Sequence, residues 1–203
     1  GYNAHDYSAS SLAAFFSAAA SRGFALNQKE YLLRDILIEN GIIRKNQSGL
    51  YDEGKGAVIS ISQESQEHLR RTFVAHEGWH GIFFTDADYR NAVAAVYYTM
   101  DQTALAFLQQ FWVSQPGLQY DLNDEFLMHN ELMAYLMQQP LKNAAPYFMS
   151  RAKWPSVQRN QKGTADYILS AQAAGLEDAA VILDSYVHDR WGFNAGRVWL
   201  LSR

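Results

Sequence analysis

Apolar residues recur at helical spacing near the start of the chain. Leu12, Phe16 and Ala19 are three or four positions apart, which is the period of a helix that buries one face. Gly23 follows as a typical stop signal. The pattern predicts an amphipathic helix over residues 8–22.

A second helix is predicted from about Asn27, and it ends at Asn40 and Gly41, a common left-handed cap pair. Between residues 42 and 62 the pattern changes, because short apolar pieces alternate with turn-forming segments. This pattern predicts a small antiparallel sheet in the N-terminal part of the chain.

The last apolar piece of that region, residues 57–62, runs directly into a helical pattern over residues 65–84. His76 and His80 lie one turn apart on one face of this predicted helix. A strand therefore leads into a helix that carries two histidines.

The remainder of the chain is predicted to be helical. Helices are expected over residues 89–112, over residues 124–139 where Pro140 closes the pattern, and as two or three segments between residues 141 and 185 with breaks around Trp154-Pro155 and Gly175. No repeat or linker divides the sequence. We expect one mostly helical α+β domain over residues 1–203, with N-terminal helices and sheet (1–64), a central helical part (65–139) and a helical C-terminal part (140–203).

Composition narrows the class of protein. The chain has 203 residues, is 48% hydrophobic and 19% charged, and carries a net charge of −4. These values are typical of an ordered globular domain, and they offer no broad basic surface for a phosphate backbone. The longest apolar stretch, Leu12 to Ala20, is far too short for a bilayer. We therefore expect neither a nucleic-acid partner nor a membrane span, and the oligomeric state is not indicated.

The sequence contains no cysteine, so a metal ion would have to be held by histidine and carboxylate side chains. No compartment is indicated. The sequence starts at Gly1 without a methionine or the basic flank of a signal peptide, which is compatible with an export signal removed before that residue.

The strongest chemical signal is the segment His76-Glu77-Gly78-Trp79-His80, which fits the pattern H-E-x-x-H. On a helix the two histidines project from one face, so both imidazoles can reach one ion. Glu77 lies about 100° around the helix, beside that ion, where it can take a proton from water. Without a metal, the two histidines would be ordinary members of an amphipathic helix.

This segment resembles the active-site helix of the zincin metallopeptidases, and the similarity covers about residues 57–139. The resemblance implies a zincin-like fold in which the active-site helix packs against a small sheet, a Zn²⁺ cofactor, and a peptide or protein substrate. It also implies that His76 and His80 bind zinc while Glu77 acts as the general base.

Catalytic zinc usually has three protein ligands, and Asn130-Glu131 resembles the pair that supplies the third ligand in the gluzincin branch. The resemblance therefore favours Glu131. The competing donor is Asp86, which falls at the last position of the extended metzincin motif. Phe83, however, occupies the position where that branch has a glycine, and a bulky residue resists the required backbone conformation. His129 is a weaker candidate, because it points to nearly the opposite side of the helix from Glu131.

Tyr135 is one turn after Glu131, so it is a candidate donor to the oxyanion of the reaction, with core packing as the alternative role. Thermolysin-type gluzincins have an acid at this position that orients a zinc histidine. In this sequence the group that orients a zinc histidine must instead be Asp121, Asp124, Asp86 or a backbone carbonyl.

From these residues we expect a zinc-dependent peptidase. The alternative is a zincin-derived binding or regulatory module that keeps the fold without turnover. Residues 57–61 are expected either to bind an extended peptide at a free strand edge or to be an ordinary sheet strand.

Overall fold

The computed structural model describes residues 4–115, 117–118 and 120–197. Within them the elements are β1 (Ala4–Ser8), α1 (Ala9–Ser21), α2 (Gln28–Glu39), β2 (Ile43–Lys45), β3 (Tyr51–Glu53), β4 (Ala57–Ile61), α3 (Glu67–Thr85), α4 (Ala87–Thr99), α5 (Gln102–Ser114), α6 (Glu125–Met137), α7 (Leu141–Ala152), α8 (Pro155–Asn160), α9 (Lys162–Ser170) and α10 (Ala174–Trp191). The predicted class, mostly helical α+β with small antiparallel sheets near the N-terminus, is confirmed.

Polar caps set the ends of the first two helices. The Ser8 side chain accepts a hydrogen bond from the Ser11 amide at the start of α1. Asn27 and Glu30 form a reciprocal capping box at the start of α2, which satisfies amides that have no partner within the helix. Both helices occupy the predicted ranges.

The prediction of one small sheet over residues 42–62 is only partly correct. Strands β2 and β3 form an antiparallel hairpin, but β4 pairs with β1 instead, with Asp6 opposite Ile59. The sequence of β1, Ala-His-Asp-Tyr-Ser, has no clear alternation of apolar and polar residues. It forms a strand because β4 offers it a partner from a distant part of the chain.

The helix predicted over residues 89–112 is two helices, α4 and α5. The chain turns at Met100 and Asp101, and the Asp101 carboxylate accepts hydrogen bonds from the amides of Thr103 and Ala104. An aspartate in this position starts a new helix, which the continuous apolar pattern does not reveal.

Within residues 140–197 the structure contains four helices, where the sequence predicts two or three. The break at Trp154-Pro155 is confirmed, since Pro155 starts α8. The other break is formed by Gln172 and Ala173, both in the left-handed region. Gly175 instead lies in the first turn of α10, where a Cβ would stand 2.5 Å from the Asp101 Cβ.

Helix α6 lies at the centre of the larger core. Its buried apolar residues belong to one cluster with side chains from α3, α4, α5, α7, α8, α9 and α10. A smaller core joins α1, α2 and β2 around Phe16, Leu37 and Ile43. Among the helices described, none combines the length and hydropathy needed to cross a bilayer.

Candidate metal centre

Helices α3 and α6 pack side by side and are joined by a buried hydrogen bond. The indole Nε1–H of Trp79 donates to the carbonyl oxygen of Met137 at 3.0 Å. Trp79 precedes His80 and is itself buried, so this bond fixes the histidine-bearing part of α3 against the end of α6.

The packing brings His76, His80 and Glu131 together. Nε2 of His76 lies 3.9 Å from one carboxylate oxygen of Glu131, and Nε2 of His80 lies 3.8 Å from the other. These separations are too long for hydrogen bonds. They are close to the ~3.4 Å expected between two ligands of a tetrahedral zinc ion at about 2.1 Å each. Two imidazoles and one carboxylate are also a typical donor set for catalytic zinc.

Two of the three side chains, His80 and Glu131, have buried atoms without a hydrogen-bond partner. His80 is 1% exposed and Glu131 is 6% exposed, yet His80 Nδ1 and Glu131 Oε2 have no hydrogen-bond partner. Burial raises the pKa of Glu131 to about 8, although Tyr120 opposes the shift. Burial and the neighbouring His80 lower the pKa of His76 to about 3. A divalent cation would satisfy the carboxylate and the neutral imidazoles together, so the residues fit a zinc ion.

Gln138 supports His76 in the role for which an aspartate or a backbone carbonyl is expected from the sequence. The Gln138 Oε1 lies 3.2 Å from His76 Nδ1, and a hydrogen bond from Nδ1–H leaves the Nε2 lone pair directed towards Glu131. The predicted aspartates serve elsewhere. Asp124 caps α6 by accepting from the Leu127 amide, and Asp121 accepts from Asn123.

Asp86 and His129 are not part of the cluster. Asp86 accepts a hydrogen bond from the Tyr89 amide and pairs with Arg190 at 2.9 Å. His129 lies among Tyr97 and Tyr98 on another side of α6. In the described ranges, two groups of metal-ligating side chains have donor atoms within 4.8 Å of one another, and neither group includes Asp86 or His129.

Glu77 lies in the second of these groups, with Asp6 and His80. Its side chain is buried, and this burial together with the adjacent Asp6 raises the pKa of Glu77 to about 8. Asp6 reaches the site because β1 pairs with β4. No motif in the sequence includes Asp6, and only knowledge of that strand pairing identifies it.

Two tyrosines line the cluster. The Tyr135 ring lies edge-on to His76 with centroids 5.3 Å apart, and it also packs against Trp112. Tyr120 interacts with the Glu131 carboxyl, and burial together with this carboxyl raises the pKa of Tyr120. Burial also raises the pKa of Tyr135. Both phenols therefore stay protonated and can donate hydrogen bonds at neutral pH.

Strand β4, a candidate for peptide binding, lies against α3. The carbon nearest to a Cβ built on Gly81 is the Ile59 Cγ2, at 4.0 Å. One edge of β4 is taken by β1, so any added peptide strand would have to use the other edge. Comparison with protein-family models, curated proteins and solved structures finds no match to this chain.

Proposed function

We propose that this protein is a zinc-dependent peptidase that hydrolyses peptide bonds. One observation carries the proposal: the two histidines of the H-E-x-x-H helix and Glu131, from a distant part of the sequence, converge with donor atoms within 4.8 Å of one another. Neither a helix pattern nor burial alone would require three such side chains to meet.

His76, His80 and Glu131 would hold the zinc ion. Zinc supplies Lewis acidity, which polarises the scissile carbonyl and makes an attacking water more acidic. Gln138 keeps the His76 ring in the orientation and tautomer that binding requires.

Glu77 is the proton carrier of the proposed reaction. Its carboxylate accepts the proton from the attacking water and later donates it to the leaving amine. A substrate oxyanion needs a hydrogen-bond donor, and Tyr135 is our candidate, with Tyr120 close to the same cluster as its competitor. The substrate would be a peptide or a protein.

Zinc content tests the ligand set. The wild-type protein should carry about one tightly bound zinc per chain, and Glu131→Ala should lose it, because three protein ligands hold a catalytic zinc. Asp86→Asn should retain it, since Asp86 caps α4 and pairs with Arg190. If Glu131→Ala retains zinc and Asp86→Asn loses it, this ligand set is rejected.

Cleavage of a peptide library tests the chemistry. Glu77→Gln should keep the zinc and abolish cleavage, because an amide cannot accept the proton, whereas Glu67→Gln, at an exposed glutamate of the same helix, should cleave normally. Full activity in Glu77→Gln would refute the mechanism. A wild-type protein that binds zinc and cleaves no peptide would favour the binding or regulatory module instead.

A further inference from the structure

Helix α2 leaves most of its surface uncovered. Of its 12 residues only Leu37 is buried, and this side chain belongs to the smaller core. Leu32 and Ile36 are 61% and 44% exposed. Single exposed apolar residues are common on protein surfaces, but these two are neighbours on one side of the same helix.

Four exposed residues form one row along α2, which we call the α2 stripe: Lys29, Leu32, Ile36 and Glu39. Their spacings of three, four and three residues place them within about 80° around the helix axis. The buried Leu37 points about 120° away from the middle of this stripe, so the stripe takes no part in core packing. Spacings of three and four residues are also those of the contact positions in paired helices.

The two charges of the stripe are placed against the preference of the helix itself. Lys29 is the second residue of α2 and Glu39 is the last, whereas a helix favours anions at its start and cations at its end. Among the residues that the structure describes, neither side chain has an ion-pair partner. Neither the helix dipole nor an ion pair within the chain therefore accounts for these two charges.

A second copy of the stripe complements the first when the two helices run antiparallel. With a two-fold axis midway between Leu32 and Ile36, Lys29 lies opposite Glu39 of the partner subunit, and Leu32 lies opposite the partner subunit's Ile36. Each of these pairs occurs twice in a symmetric dimer. A parallel pair would instead bring like charges together at both ends, so the charges select the antiparallel arrangement.

The borders of the stripe are compatible with this contact. Leu33 lies along one border and is 37% exposed, so it adds apolar surface to the interface. Asp35 lies along the other border, and its carboxylate pairs with the Arg34 guanidinium of the same chain at 2.8 Å. Asp35 therefore brings no unbalanced charge to the contact.

We propose that α2 is a dimerisation helix, which binds α2 of a second copy of this chain in antiparallel orientation through the α2 stripe. A helix of 12 residues is only about 18 Å long, so the buried area falls below the ~1,200 Å² of stable complexes. The dimer is therefore weak, with a dissociation constant on the order of tens of micromolar. This inference is independent of the metal centre and of the proposed peptidase activity.

The experiment is sedimentation velocity of the full chain between about 1 and 300 μM, in a chelator so that no metal bridges two chains. The wild type should change from monomer to dimer across this range. Lys29→Glu and Glu39→Lys each bring like charges together twice, and each should raise the dissociation constant at least about 10-fold. Lys142→Glu is the matched control, since Lys142 is the exposed second residue of α7, and it should dimerise normally. A wild type that stays monomeric throughout overturns the inference.

Rescue distinguishes pairing from misfolding. When Lys29→Glu and Glu39→Lys are mixed in equal amounts, they should form a heterodimer, because one stripe then has two acidic ends and the other has two basic ends. The double variant should dimerise about as well as the wild type, because it only exchanges the two charges. Both substitutions agree with the helix dipole, so the fold should persist. Failure of both rescues overturns the antiparallel pairing.

The apolar centre of the stripe is tested separately. Leu32→Lys would bury an unpaired charge against the partner subunit's Ile36, and this variant should remain monomeric across the same range. Ile182→Lys is the matched control, because Ile182 is 56% exposed on α10, and it should dimerise normally. If both variants dimerise like the wild type, the stripe is not the interface.

Discussion

The buried Glu131 carboxyl should weaken the metal-free protein as the pH rises. An ordinary glutamate has a pKa of 4.5, and burial raises that of Glu131 to about 8. Between these values the folded chain binds a proton that the unfolded chain has released, so the free energy of unfolding falls with increasing pH. Worked from the two pKa values, the loss is about 3 kcal/mol at pH 7 and approaches about 5 kcal/mol above pH 9.

Substitution of Glu131 by glutamine removes this titration. In a chelator, Glu131→Gln should therefore gain about 3 kcal/mol relative to the wild type between pH 4 and pH 7. Zinc should reverse the order, because it binds the deprotonated carboxylate and stabilises the wild type by about 4 kcal/mol at a free concentration 1,000 times its Kd. The other titratable groups that face the site remain in both proteins: Asp6, His76, Glu77, His80, Tyr120 and Tyr135.

Urea unfolding followed by tryptophan fluorescence measures both effects across this pH range. Glu125→Gln is the control, since Glu125 is an exposed residue of the same helix, and it should show neither the pH-dependent gain nor the reversal by zinc. A stability difference between Glu131→Gln and wild type that does not change with pH would refute the reasoning. The same holds if zinc stabilises both proteins equally.

Two further predictions concern residues beside the ligands. Gln138→Ala should weaken zinc binding by about 10- to 100-fold, because His76 loses the acceptor that orients it; unchanged affinity in a competition titration would show that Gln138 has no such role. Gly78→Ala should raise the free energy of unfolding of metal-free protein by about 0.5–1 kcal/mol. A Cβ at this position inside α3 meets no atom within 4 Å, so a lower melting temperature in this variant would contradict the described packing.

Local signals explain most of what the sequence predicted correctly. Helices α1 and α2 start directly after Ser8 and Asn27, whose side chains cap their N-terminal ends. Such caps involve residues only a few positions apart, so they can be recognised without knowledge of the fold. The range of α6 was predicted from a similar combination of Asp124 and Pro140.

One error arises where a distant part of the chain decides the structure. Strand β1 depends on pairing with β4, and neither Ala4–Ser8 nor its neighbours carry a clear strand pattern, so tertiary packing outweighs the local pattern there. The start of α5 is a different case, because the Asp101 cap is a local signal that is obscured by apolar residues on both sides of it.

In the candidate site, too, some residues follow from local signals and others do not. The positions of His76 and His80 follow from helical spacing, and the choice of Glu131 came from a resemblance rather than from geometry. Gln138 was missed although it lies seven residues after Glu131, which is two helical turns and hence the same face. That spacing was a usable signal, but an amide is seldom considered among candidate metal-site residues.

The bond between the Trp79 indole and the Met137 carbonyl joins the two helices that carry the proposed zinc ligands, and it needs no ion. Together with the large apolar core around α6, it holds the donors near one another in advance of binding. Unlike a zinc finger, whose fold is created by its metal, this centre should release its ion to a chelator and take up another while the helices remain assembled. Exchange of one metal for another would then be a local event, reversible without refolding of the chain.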